Sequence, residues 1–205
     1  MTRAPRRRYS LRVKPLRTLG AALAIAVGVT LSGCITIVQA PPIDSGTEHP
    51  DCVAEARSGV QEFDVCGELL VDGNDIEVRV SEVDVLVVRG DRNRVELRGG
   101  VGLVTITETD NQVDITSGAG ELDIAGERNR VDVQGGVGLV TIADSENRID
   151  VVGGLGELTI SGQRHEAVVR GGIGLVTLAG SDHVVESPDG YGSVVNEGER
   201  NDVRT

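Results

Sequence analysis

Aliphatic residues recur with a fixed beat along most of this chain. From Gly90 onward it divides without insertion into nine-residue pieces such as GDRNRVELR, GGVGLVTIT, ETDNQVDIT and SGAGELDIA, with aliphatics (once Ala167) at the sixth position and mostly at the eighth. A spacing of two puts both aliphatics on one face of a strand. Each nine-residue piece therefore predicts a four-residue turn and a five-residue strand. Two further pieces precede this run, VDGNDIEVR and SEVDVLVVR, with Val80 read as an extra residue between them.

The pieces come in two alternating kinds, told apart at their fourth position. One series carries Asn93, Asn111, Asn129, Asn147, His165, His183 and Asn201, and the other Gly102, Gly120, Gly138, Gly156, Gly174 and Gly192. The structural unit is therefore an 18-residue coil with two strands and two distinct corners, doubled again in the 36-residue echo GGVGLVTIT, GGVGLVTIA, GGIGLVTLA. Short fixed periods of this kind mark a solenoid. The expected fold is all-β: a two-sheet, β-roll-like parallel β-solenoid over residues 71–205. A core of Val, Ile and Leu almost without aromatics suits two closely spaced sheets. The Gly column is expected to supply φ > 0 at one corner. The column Asn93, Asn111, Asn129 and Asn147 is expected to tolerate the same region and to hydrogen-bond from coil to coil.

Charge changes the picture at the N-terminal end. Residues 1–33 hold seven of the 20 basic residues and no Asp or Glu, leaving 13 basic against 32 acidic residues in the rest, a formal charge of −19. So acidic a body repels nucleic acid, which is excluded as its partner. The basic n-region and the short apolar stretch LGAALAIAVGVTLSG read as an export signal, too short and too rich in small residues for a spanning helix. Leu31-Ser32-Gly33-Cys34 then resembles the lipobox of bacterial lipoproteins. That resemblance implies cleavage before Cys34, acylation of its thiol, and a lipid anchor (palmitate among its acyl chains) on the extracytoplasmic side of a bacterial membrane. Two or more acyl chains would hold the protein stably there. Residues 34–50, with three prolines and no apolar period, read as a tether.

Cys52 and Cys66 remain, and in an exported chain they are expected to form one disulfide. In the chain-entropy view such a loop contributes roughly 3 kcal/mol. It falls within residues 51–70, read as an N-terminal cap that includes a helix-like run, VAEARSGVQEF. The repeats and the cysteine-bearing start resemble a family of bacterial envelope proteins known as domain of unknown function 3060. The likeness rests on Gly90-Asp91-Arg92-Asn93-Arg94-Val95 and Gly126-Glu127-Arg128-Asn129-Arg130-Val131 and covers about residues 50–205. It implies an envelope location and no particular activity.

Candidate chemistry is sparse. Gly135-Gly136-Val137-Gly138 matches the start of the calcium-binding nonapeptide of repeat toxins, but Val140 stands where that motif needs Asp. Without that carboxylate the corner offers calcium no oxygen cage, and no cofactor is expected. No nucleophile elbow or dinucleotide fingerprint appears, and a P-loop needs a lysine the body lacks, so no enzyme is expected. His165 and His183 occupy neighbouring corners and are weak metal candidates, too few for a zinc site by themselves. On the Asn side, arginines lie beside Asp114, Asp132 and Asp150, a solvated face or, alternatively, a divalent-cation or small-ligand site. The Gly side presents Leu103, Leu139 and Leu175 on alternate coils beside Thr105, Thr141 and Thr177. This is either ordinary surface, since Thr favours strands and scattered exposed Leu is normal, or a flat strip suited to a protein partner or a second copy. The sequence therefore points to a lipid-anchored, non-catalytic binding or spacer module.

Overall fold

The computed structural model describes residues 49–56 and 59–205. Cys34, the leader and nearly all of the tether lie outside the described residues. The body is a parallel β-solenoid with an 18-residue coil, as the repeat requires. On the Asn side run β4 (Arg94–Leu97), β6 (Gln112–Ile115), β8 (Arg130–Val133), β10 (Arg148–Val151), β12 (Glu166–Val169), β14 (Val184–Glu186) and β16 (Asp202–Arg204). On the Gly side run β5 (Val101–Ile106), β7 (Ala119–Ile124), β9 (Val137–Ile142), β11 (Leu155–Ile160), β13 (Ile173–Leu178) and β15 (Tyr191–Asn196). Two long strands, β2 (Val60–Asp72) and β3 (Glu77–Arg89), join the sheets: the first half of β3 pairs with β4 and the second half with β5.

The strands are unequal, four residues on most of the Asn side and six on the Gly side, where a uniform five was expected. The difference is a third inward position. Val101 joins Val104 and Ile106 in the core, as do Val137 and Leu155 in their own coils, all 6% exposed or less. To bring Val101 and Val104 inward together, Gly102 and Leu103 turn outward in succession. With Val95 and Leu97 this coil contributes five buried aliphatics, each stabilising by about 1.5–3 kcal/mol relative to exposure.

Two readings of the first coils are corrected. The run Val53–Phe63 is strand at both described ends, in β1 (Cys52–Glu55) and the start of β2, and no helix occurs among the described residues. Ladder pairing decides this: Cys52 opposes Leu69, and β2 in turn lies on β3. The expected cap is thus the solenoid's own first coil. Cys52 and Cys66 are joined within it, with Cα atoms 5.8 Å apart. Val80 is not an inserted residue either. It is 1% exposed and pairs with Leu97, while Ile76, not Asn74, takes the corner later held by asparagine. Coil-to-coil spacing here is 17 residues rather than 18. The missing residue is at the opposite corner, where Ser81-Glu82 stand for Arg98-Gly99-Gly100.

Candidate functional site: two outer faces and a corner ladder

The asparagine corner is built from the backbone outward. The residue before each corner side chain has a left-handed backbone: Asp75, Arg92, Asp110, Arg128, Glu146, Arg164, Asp182 and Arg200 all have φ between 54° and 61°. This conformation turns the next side chain inward. Asn93, Asn111, Asn129 and Asn147 are each 1% exposed. Asn111 Oδ1 accepts from the Asn93 N–H, Asn129 Oδ1 from Asn111 and Asn147 Oδ1 from Asn129, each at 2.9 Å. Each Nδ2 donates twice, as Asn129 does to the carbonyls of Glu108 (2.9 Å) and Ala125 (3.0 Å). The expected ladder is present, but it runs from side chain to backbone, and the positive φ falls on the preceding residue.

The Gly column also has a different cause from the one expected. None of Gly102, Gly120, Gly138, Gly156, Gly174 or Gly192 has positive φ. A Cβ on Gly120 would lie 2.5 Å from the Gly102 carbonyl oxygen, and one on Gly138 2.6 Å from that of Gly120. Stacked backbones approach too closely there for any side chain.

His165 and His183 continue the asparagine ladder. His165 Nδ1 accepts from the Asn147 N–H at 3.1 Å, and His183 Nδ1 from the His165 N–H at 3.4 Å. Their Nε2 atoms lie 2.9 Å from the Ser161 carbonyl and 3.0 Å from that of Ala179. These partners assign both rings as the neutral tautomer with its proton on Nε2, so that Nδ1 replaces Oδ1 and Nε2 replaces Nδ2. The rings stack with centroids 5.1 Å apart. Burial above all pushes the His165 pKa below its ordinary value; the His165–Ser161 carbonyl bond opposes this, the neighbouring His183 adds to it, and Asp144 opposes it. With both nitrogens engaged, neither ring has a lone pair to offer a metal, and no metal-binding cluster occurs among the described residues.

The Asn-side face is electrostatically closed. Asp114 pairs with Arg94 at 3.2 Å, Asp132 with Arg130 at 2.7 Å and Asp150 with Arg170 at 3.9 Å. An aspartate column that looked open to a divalent ion is covered by arginine. A second set of pairs runs along the corner itself, in the left-handed column. Arg92 grips Asp75 through two bonds of 2.8 Å, and Arg128 grips Asp110 at 2.8 and 3.1 Å. Arg164 holds Glu146 and Arg200 holds Asp182 in the same manner. The sequence reading missed this column. Its signal was legible: from Arg92 onward the residue before each corner alternates arginine and acid every 18 positions.

The Gly-side face is different. Leu103, Leu139 and Leu175 are half-buried, Glu121 and Glu157 stand exposed between them, and each leucine pairs in register with a glutamate. Thr105, Thr141, Thr159 and Thr177 line the next column with Asp123. Strands β5, β7, β9, β11 and β13 contain no basic residue, so Glu121, Asp123 and Glu157 have no cation in their own or the adjoining strands to pair with. The structure thus brings together every residue of the strip expected from sequence. The class defined here is a two-sheet parallel β-solenoid with an internally ion-paired face and an acidic, leucine-bearing one. Comparison with protein-family models, curated proteins and solved structures gave no match.

Proposed function

We propose that this is an exported, lipid-anchored protein of the bacterial envelope whose solenoid is a non-catalytic binding module, docking through its Gly-side face. One observation carries the reading: across five coils this face keeps leucines half-exposed and carboxylates with no base in their strands, while the opposite face pairs its aspartate column with arginine. Unpaired groups in a regular row are available to a partner; paired ones are not. The leader, Cys34 and the likeness to envelope proteins support attachment to a membrane outside the cytoplasm. The Cys52–Cys66 bond fits an oxidising compartment. The reading is non-catalytic because the His pair and the Asp column are engaged in structural bonds.

Cross-linking on intact cells tests this. The native protein should give a cross-linked species that disappears when Leu103, Leu139 and Leu175 are all changed to Arg, in a variant whose circular dichroism stays native. An unchanged cross-linking pattern from that folded variant would make the leucine row ordinary surface and leave the rod as a spacer.

A further inference from the structure

The Gly-side face carries a spacing as well as a charge. Coils stack at ~4.8 Å, so Glu121 and Glu157, two coils apart, repeat at about 9.6 Å, and so do Leu103, Leu139 and Leu175. Its carboxylates have no base beside them in β5–β13, and the exposed Arg89 at the end of β3 lies two coils from Glu121, so cations are called for from outside. A second copy does not supply them: face to face it would bring the same strands, which hold no base, and the arginines of its other face are already engaged. Resting on the docking role proposed above, we propose that the partner is a basic polypeptide segment lying along the rod axis. Its Lys or Arg residues recur every third position of an extended, polyproline II-like chain, with apolar residues between them.

The choice of conformation follows from the repeat. A polyproline II chain turns once every three residues, about 9.3 Å, within a few tenths of the double-coil distance. An α-helix returns to the same face after seven residues, about 10.5 Å, and slips by nearly 2 Å over two intervals. In a β-strand every third side chain points to the opposite face, so a strand meets the glutamates only out of phase. The polyproline chain also needs no ladder hydrogen bonds, which the Gly-side sheet, paired along its length, does not offer from its face.

The test uses the full-length protein in detergent micelles and two fluorescent 18-residue peptides of the same composition. One is (Lys-Pro-Val) repeated six times; the other has its lysines gathered at one end. Fluorescence anisotropy should show the spaced peptide binding at least tenfold more tightly, with affinity falling as salt rises. The triple variant Glu121→Gln, Asp123→Asn, Glu157→Gln should lose that preference, while Asp132→Asn on the other face should keep it. Equal binding of the two peptides, or native binding by the triple variant, would overturn the proposal. Absence of peptide binding together with a leucine-dependent cross-link on cells would also overturn it, while leaving the docking role standing with a partner of another chemistry.

Discussion

The two sheets of one solenoid obey the same 36-residue period for different reasons. At the asparagine corner the sign of charge alternates from coil to coil, and each acid is gripped by the arginine one coil on. Like charges stacked at ladder distance would repel, so alternation there removes a cost and adds a bond. On the Gly side alternation only spaces the charges: Leu139 separates Glu121 from Glu157, and no cation arrives. One face has spent its chemistry on coil-to-coil cohesion; the other has kept it for solvent or a partner. Substitutions on the first should therefore move stability, and substitutions on the second should move binding.

The largest effect is expected at the asparagine ladder. Asn129→Ala removes the acceptor of the buried Asn111 N–H and the donor of the part-buried bonds to the Glu108 and Ala125 carbonyls. Leaving such groups unsatisfied costs about 1–3 kcal/mol apiece, and the loss is expected near the upper end of that range. Urea unfolding should show it as a lower midpoint with an unchanged slope. Glu121→Gln, one strand away on the other sheet, should leave the midpoint in place. A neutral Asn129→Ala would mean that water replaces the side chain and that the ladder does not hold the coils.

The histidines sharpen the same contrast through pH. In the folded protein His165 titrates below its ordinary value, chiefly through burial, so the unfolded chain takes up the proton first. Stability is therefore complete above pH ~6.5 and falls as pH drops from there toward the folded value. The slope reaches at most about 1.4 kcal/mol per pH unit for one proton. Protonation would also turn Nδ1 from acceptor to donor, facing the N–H of Asn147. The double change His165→Asn, His183→Asn restores the ladder chemistry of the other coils. It should keep the unfolding temperature at pH 7.5 and flatten its decline between pH 7 and pH 5. An equally steep decline in the variant would place the acid-sensitive groups elsewhere.

Much of this architecture was legible in the chain because a period of two fixes which residues face inward. Val95, Leu97, Val104 and Ile106 could be placed in the core from spacing alone, and the corner column was visible as an asparagine every 18 residues. Two kinds of feature were not legible. Val80 and Ile76 were misaligned because the repeat is imperfect there, and only the pairing of β3 with β4 shows that Val80 is core. The run after Cys52 has helical spacing, yet its neighbours in the ladder make it strand, a tertiary choice that overrides local preference. The glycine column was read in the right place for the wrong reason. Positive φ and close backbone approach both select glycine, and composition does not distinguish them. The histidines were seen as possible ligands because their equivalence to asparagine appears only once both ring nitrogens have partners.

The smallest effect belongs to the charged corner, and it separates pairing from mere proximity. Arg200 holds the Asp182 carboxyl down to about 2, chiefly through the side-chain hydrogen bond. A depressed carboxylate adds stability that is present above its unfolded value near pH ~3.9 and is lost as pH falls toward the folded one. Both side chains are solvent-exposed, where such pairs contribute little and are screened by salt. Arg200→Gln should therefore lower the unfolding temperature by no more than about 1–2 °C at pH 7 in low salt. The difference should vanish at ~1 M salt, where the screening length is only about 3 Å. In the native protein this acid-dependent loss begins below pH ~4, well under the histidine window, so the two can be followed in one titration. A salt-independent loss would show that Arg200 acts by packing its stem against the corner. The charge ladder would then be a consequence of the coil register and not one of its causes.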